Sequence, residues 1–341
     1  CHPDDVAKAA AAVAPAERSR IHVFVATSEI HRNLKLQMAK EEIIRRAVES
    51  VQLAREHCAD VDFSAEDASR TELPYLAEVV QAVIEAGARL SPADLGVLAS
   101  LGLGQLQVKR KPVVAFFSTG DELVSVGEKL EPGKIHDSNR YSLHGMLSGM
   151  AVDIIDLGVV RDDLDSMREV LKRASTRADL IISTGGVSVG EADFIKPALE
   201  ELGTTEFWKI AIKPGRPLTF GQIDASIFMG LPGNPVAVMV TFSQFVVPAI
   251  HALAGANPQT PALFRARALD KMRKKPGRYE FQRGIASMDE NNEWQVARTG
   301  QQGSGVLTSM SRANCFIVLP DDNAGVEPGD QVSIQFFDWV R

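Results

Sequence analysis

Acids, glycines and cations gather just beyond the ends of apolar runs between residues 118 and 235. Ser118-Thr119-Gly120-Asp121-Glu122-Leu123 places two carboxylates where one apolar run stops. It reads either as a solvated loop with an Asp turn or as the donor of a carboxylate to a site. In Arg161-Asp162-Asp163, one aspartate caps the following helix or faces a ligand. Thr184-Gly185-Gly186-Val187-Ser188-Val189-Gly190-Glu191-Ala192-Asp193 leads from a strand into a helix. Its glycines let the backbone approach a ligand closely, and a helix N-terminus offers N–H groups to a phosphate or oxyanion. The spacing is neither the dinucleotide fingerprint nor the Lys-bearing P-loop. Asp193, in the first helical turn, satisfies the helix dipole or holds a metal.

Lys209, Ala211 and Lys213 share one strand face by period two, and Arg216 follows in the turn. Such a cluster is a solvent-exposed edge or a phosphate or oxyanion site, and the second is the more economical reading. Gly230-Leu231-Pro232-Gly233-Asn234-Pro235 is a rigid strand-to-helix turn with Asn234 at the N-cap and Pro235 at the first helical position. Together, the carboxylates of Glu122, Asp162 and Asp193, an anion-cradling turn and three cations suit a metal-assisted reaction on an anionic phosphate ester. Mg²⁺ uses one or two protein carboxylates plus substrate phosphates. The only histidines between residues 107 and 257 are His136, His144 and His251, which argues against a His-rich zinc site.

These loops need a sheet to position them. Strands are expected near 112–119, 152–160, 178–184, 207–213 and 225–231, and helices near 138–150, 163–174, 191–202 and 234–254. That is an α/β, doubly wound, mostly parallel three-layer domain over 107–257, with ligands bound beyond the carboxyl ends of its strands. The alternating runs FRARAL, YEFQRGIAS, EWQVART, CFIVLP and QVSIQFFDWV predict a small β-barrel over 258–341. Before residue 107, a linker helix spans 90–106, with Ser91 as its N-cap. Residues 1–89 read as βαβα: strands at 20–28 and 60–67, helices at 39–57 and 72–87.

Composition sets outer limits. The 341 residues are 45% hydrophobic and 24% charged, enough for two or three ordinary globular domains. A formal charge of -7 argues against a nucleic-acid partner. No apolar run is expected to reach the ~18 residues of a membrane span, so no membrane partner is expected. Three scattered cysteines suit a reducing cytoplasm. The opening Cys1-His2-Pro3-Asp4 reads like the interior of a longer protein.

The set STGDEL, IHDSNR (135–140), GVVRDD (158–163), ISTGGVSVGEADF (182–194), WKIAIKPGRPLTFG (208–221) and GLPGNPVA (230–237) resembles molybdopterin molybdenumtransferase, the family that includes the E domain of gephyrin. The resemblance covers about residues 90–341. It implies binding of adenylylated molybdopterin, insertion of molybdate and release of AMP, with Mg²⁺ or another divalent cation. Position by position, Glu122, Asp162 and Asp193 match the acids around phosphates and metal. Lys209 and Lys213 match cofactor or molybdate contacts; Arg216, Arg283 and Ser304 match the molybdate pocket. Thr119, Gly185, Gly186, Ser188, Gly190, Pro232 and Asn234 complete the implied binding surface. The family also implies a homodimer, in which an elongated domain of one subunit completes the partner's site.

Residues 1–88 resemble instead an internal piece of 2-isopropylmalate synthase, a (βα)₈-barrel enzyme, through RIHVFVATSEIH (20–31) and VDFSAEDASRTE (61–72). His22 and Glu66 match positions facing the keto-acid site there. That family's metal-binding Asp and His-x-His have no counterpart, and two βα units cannot close a barrel. The expectation is a fusion at about residue 89. Two alternatives to molybdate insertion remain at this point: a molybdopterin-binding fragment with impaired turnover, and a 2-isopropylmalate synthase fragment.

Overall fold

Strict alternation in Arg20–Ala26 turns Ile21, Val23 and Val25 to one face, and those three side chains are buried. The computed structural model describes residues 2–14, 20–58, 60–86, 92–100, 102, 104–186, 194–256 and 261–337. The chain divides into two units, Cys1–Arg110 with His251–Thr260, and Lys111–Ile250 with Pro261–Arg341.

The first unit runs α1 (Pro3–Val13), β1 (Arg20–Ala26), α2 (Lys40–His57), β2 (Asp60–Glu66), α3 (Leu73–Glu85) and α4 (Pro92–Ser100). β1 and β2 pair in parallel from Arg20↔Asp60 to Ala26↔Glu66. Ile21, Val23 and Val25 pack on Ile43, Ala47, Val51 and Ala54 of α2 and on Tyr75, Val79 and Val83 of α3. The helical residues recur at three- and four-residue spacing, the apolar stripe of an amphipathic helix. Phe24, on the opposite strand face, is 50% exposed, so among the described residues the helices pack on the Ile21, Val23 and Val25 face.

The second unit begins with β3 (Val113–Thr119), β4 (Leu123–Val124), β5 (Ile135–His136), α5 (Asn139–Ser148), β6 (Asp153–Val160), α6 (Leu164–Ser175) and β7 (Leu180–Thr184). It continues through α7 (Ile195–Leu202), β8 (Gly203–Lys209), β9 (Ile212–Lys213), β10 (Pro217–Ile223), β11 (Ser226–Leu231), α8 (Pro235–Thr241), a π-helical turn at Phe242–Val246 and α9 (Val247–Leu253). Six strands order β6-β3-β7-β11-β10-β8; the first four are mutually parallel, and β10 runs antiparallel to both its neighbours, β11 and β8. One face is covered by α6 and α7, through Met167, Leu171, Ile195 and Leu199 against Phe117, Ile181 and Phe228. α5 and α8 pack on the other. This burial on both faces is why β3 and β7 read as unbroken apolar runs.

The barrel comprises β12 (Phe264–Ala268), β13 (Tyr279–Met288), β14 (Trp294–Arg298), β15 (Cys315–Leu319) and β16 (Gln331–Phe336), with α10 (Leu307–Arg312) between β14 and β15. Its order is β14-β12-β16-β15-β13, and β13 pairs with β14 to close it. Val296, Cys315, Ile317 and Ile334 fill the interior. β9 adds to β13 in parallel, Ile212↔Tyr279 and Lys213↔Glu280, so the chain leaves the α/β sheet for the barrel's sheet before returning at β10.

Three expectations need correction. The strand placed at 207–213 is two strands in two sheets. β8 ends at Lys209, paired with Pro217, and the Ile210 N–H donates to Arg216 O, which turns the chain away. Lys209 and Lys213 therefore do not share a strand face. β10 is not among the expected strands; proline is tolerated as the first residue of a strand, and this strand makes the sheet's far edge antiparallel. Finally, Pro235–Leu253 is long and apolar enough to cross a membrane by length and composition. Val236, Val240 and Val246 are buried in this unit, which accounts for that hydropathy.

Candidate functional site

β3, β6, β7 and β11 end at the same edge, and their loops surround one cavity of about 720 Å³. Its lining includes Thr119, Gly120 and Glu122 after β3, Asp162 after β6, Gly185 and Gly186 after β7, and Pro232, Gly233 and Asn234 after β11. Lys213, Pro214 and Gly215 line it after β9, and Gln302, Gly303 and Ser304 come from the barrel.

Gly185 and Gly186 hold left-handed backbone and leave little room for a side chain. Gly185 has φ +86°, and a Cβ there would lie 2.2 Å from Thr119 O. Gly186 has φ +61°, and its Cβ would meet Ile195 Cδ1 at 2.7 Å. The β7 turn is thus pressed against the end of β3, with Thr184 Oγ1 donating to Ser118 Oγ at 3.0 Å beneath it. Asn139 braces the turn after β11: its Nδ2 donates to Gly233 O at 2.7 Å. The barrel loop is tied to the same place, since the Val236 N–H donates to Ser304 O at 3.1 Å.

The two aspartates after β6 have separate jobs. Asp163 is the N-cap of α6, accepting from Ser166 N at 2.8 Å and from Ser166 Oγ at 2.8 Å. Those bonds hold its carboxyl below the ordinary range. Asp162 is left to the cavity, 3.5 Å from Thr119 Oγ1. Burial, followed by the negative charge of Asp121 and then of Glu122, pushes its carboxyl upward, although the Thr119 contact opposes this. A cation between Asp162 and Glu122 would relieve that repulsion, and carboxylate oxygens are donors that Mg²⁺ takes. Among the described residues no group of three or more metal-binding side chains converges. The pair fits a divalent ion that also takes substrate oxygens. Asp193, Ser188 and Gly190 lie outside the described residues.

Lys213 is the cavity's cation among the described lining residues. Its Nζ is 3.0 Å from Glu280 Oε1. Lys209 and Arg216 are exposed and do not line the cavity. Arg283 lies beneath it, 1% exposed. Its Nε donates to Ser309 Oγ at 3.0 Å and its Nη2 to Gly303 O at 3.0 Å. Burial, then the charge of Arg298, lowers its pKa to about 10, so it stays protonated at neutral pH. Gln302 clasps the Arg283 backbone, accepting from its N–H at 2.7 Å and donating to its carbonyl at 3.1 Å. Arg283 and Gln302 thereby shape the loop that carries Ser304.

Of the expected site residues, Thr119, Glu122, Asp162, Gly185, Gly186, Lys213, Pro232, Asn234 and Ser304 meet at the cavity; Lys209, Arg216 and Arg283 do not. Asn234 sits at the N-cap of α8 but makes no side-chain cap bond. Sequence reasoning missed Asn139, Gln302 and Glu280. The signal for Gln302 was a polar side chain directly before Gly303-Ser304; for Glu280 it was an acid on a barrel strand's inward period.

Comparison with known proteins now adds to this geometry. Residues 115–252 match a family described as a probable molybdopterin binding domain, and residues 265–337 match the MoeA C-terminal region (domain IV). Residues 1–104 match an HMGL-like family. A molybdopterin molybdenumtransferase of Haemophilus influenzae is 43% identical over 256 residues, 75% of this chain and 63% of that protein. One from a Nostoc species is 36% identical over 258 residues, 74% of this chain and 59% of that protein. A crystal structure of the molybdopterin biosynthesis MoeA protein of Pyrococcus horikoshii superposes with a TM-score of 0.62 at 30% identity, covering 74% of this chain and 61% of that one. The chain thus spans less than two thirds of the length of these curated relatives.

Proposed function

Through residues 115–337 the chain belongs to the molybdopterin molybdenumtransferase (MoeA/gephyrin) family, and from that membership we propose that it inserts molybdate into adenylylated molybdopterin and releases AMP. The observation that supports this reading is the single cavity in which two carboxylates, two glycine turns, one lysine and a barrel serine loop converge.

Each lining group has a part in that chemistry. The glycine turns at 185–186 and 232–234, with Thr119, cradle the pterin and its phosphates closely. Glu122 and Asp162, with Asp193 as the family motif implies, would hold Mg²⁺ or another divalent ion, which would supply charge neutralisation for the phosphoanhydride. Lys213 and the Ser304 hydroxyl donate to the oxygens of molybdate, a tetrahedral dianion. Arg283 acts one layer back by fixing the Ser304 loop, and Lys209 and Arg216 draw anions toward the site from the surface. Hydrolysis adds the oxygen of one water to phosphorus and separates AMP from molybdopterin phosphate. The two dithiol protons pass to one molybdate oxygen, which leaves as a single water as the two Mo–S bonds form. The setting is the cytoplasm. Residues 1–88 contribute no acyl transfer to a keto acid.

AMP release from adenylylated molybdopterin, followed by chromatography with and without molybdate, tests the assignment. Molybdate-dependent release is expected. Tight molybdopterin binding with no AMP at any molybdate concentration would leave a binding module instead, the second reading that the shortened match to relatives favours.

A further inference from the structure

Behind the cavity's lysine stands a buried carboxylate that lines nothing. Glu280, the register partner of Lys213 on β13, is 6% exposed. Its Oε1 accepts from Lys213 Nζ at 3.0 Å and its Oε2 accepts from Gln282 Nε2 at 3.1 Å. Gln282 is also buried. Glu280, Gln282 and Gly284 share a strand face by period two. A Cβ added at Gly284 would meet Ile317, Val296 and Cys315, which are barrel core.

A carboxylate at the edge of an apolar core is expensive to desolvate, and a buried ion pair commonly stabilises no better than apolar side chains of similar size. Stability therefore does not explain this acid, but direction does. An ammonium carries three N–H donors on a flexible four-carbon stem. Glu280 takes one of them, while the Lys213 side chain remains 51% exposed at the cavity.

We propose that Glu280, itself oriented by Gln282, is a positioning residue that holds the Lys213 ammonium toward the cavity with two N–H donors left for an oxyanion. The inference rests on reading the cavity as an anionic-substrate site. Glu280 touches no substrate and moves no proton; it acts only through Lys213.

The test is a double-mutant cycle in the full chain with Glu280→Gln and Lys213→Met, read as kcat/KM for molybdate-dependent AMP release. Glu280→Met serves as a second variant, and thermal unfolding is followed for each. Glu280→Gln alone should lower kcat/KM by up to roughly 100-fold, the scale of an ångström's misplacement. It should have no further effect once Lys213 is Met, and Glu280→Met should match the loss without lowering Tm. Additive losses, or an activity loss that tracks Tm across the variants, would overturn the proposal. Should the wild type release no AMP, the same cycle is read by calorimetric titration with molybdate alone. Non-additive molybdate binding would then sustain the positioning role while the proposed reaction falls, and no molybdate binding would overturn both.

Discussion

Asp162 and Asp163 are chemically identical neighbours that the fold drives in opposite directions. Asp163 is held low by the Ser166 amide and hydroxyl. Its stabilisation of α6 is present above the unfolded-state pKa and is lost as pH falls through the lower folded value. Asp163→Ala should lower Tm at neutral pH, and the gap to wild type should close in acid. Asp162 is held high by burial and by the charges of Asp121 and Glu122. The folded protein binds its proton more tightly than the unfolded chain, so this group's contribution to stability declines as pH rises through that window. Asp162→Asn should therefore raise Tm slightly or leave it unchanged at neutral pH, while lowering AMP release by roughly 100-fold or more, as expected for loss of an electrostatic catalytic group. Mg²⁺ should raise the Tm of wild type and not of Asp162→Asn. A fall in Tm for Asp162→Asn would mark that side chain as structural.

At the scale of elements, the strand-to-helix turns matter most. Gly185→Ala would force Thr119 O away from a Cβ 2.2 Å distant while holding φ +86°. Destabilisation of roughly 2 kcal/mol or more is expected, since the left-handed backbone alone costs an L-residue about 1–2 kcal/mol; urea unfolding measures it. An alanine there with wild-type stability would mean the turn is not pressed on β3. The turns were legible in sequence because glycines and acids stood directly after apolar runs. The cation strand was not: period two across 209–213 presumed unbroken pairing, whereas Pro217 pairs with Lys209 and the chain crosses to β13 at Ile212. Arg283 was legible as a charge in the right motif, but not as a buried group. Its burial depends on Ser309 and Gly303, which are distant along the chain.

At the scale of the whole molecule, two units with separate apolar cores share one chain. Calorimetry should resolve two transitions, and Mg²⁺ with molybdate should shift only one of them, that of Lys111–Ile250 with Pro261–Arg341. A single transition shifted as a whole would speak against independent cores. The βαβα character of residues 1–88 was legible from helical and alternating periods, and the resemblance there agrees with the HMGL-like match. The barrel's closure by β13 and β14 was legible only as a class, because strand order is a property of long-range pairing. Molybdate, on the function proposed above, is held where the α/β loops meet the barrel loop. A molybdenum-edge anomalous difference map from crystals soaked in molybdate tests it directly. A peak within hydrogen-bonding reach of Lys213 Nζ and the Ser304 hydroxyl is expected; a peak elsewhere, with that cavity empty, would rule this site out.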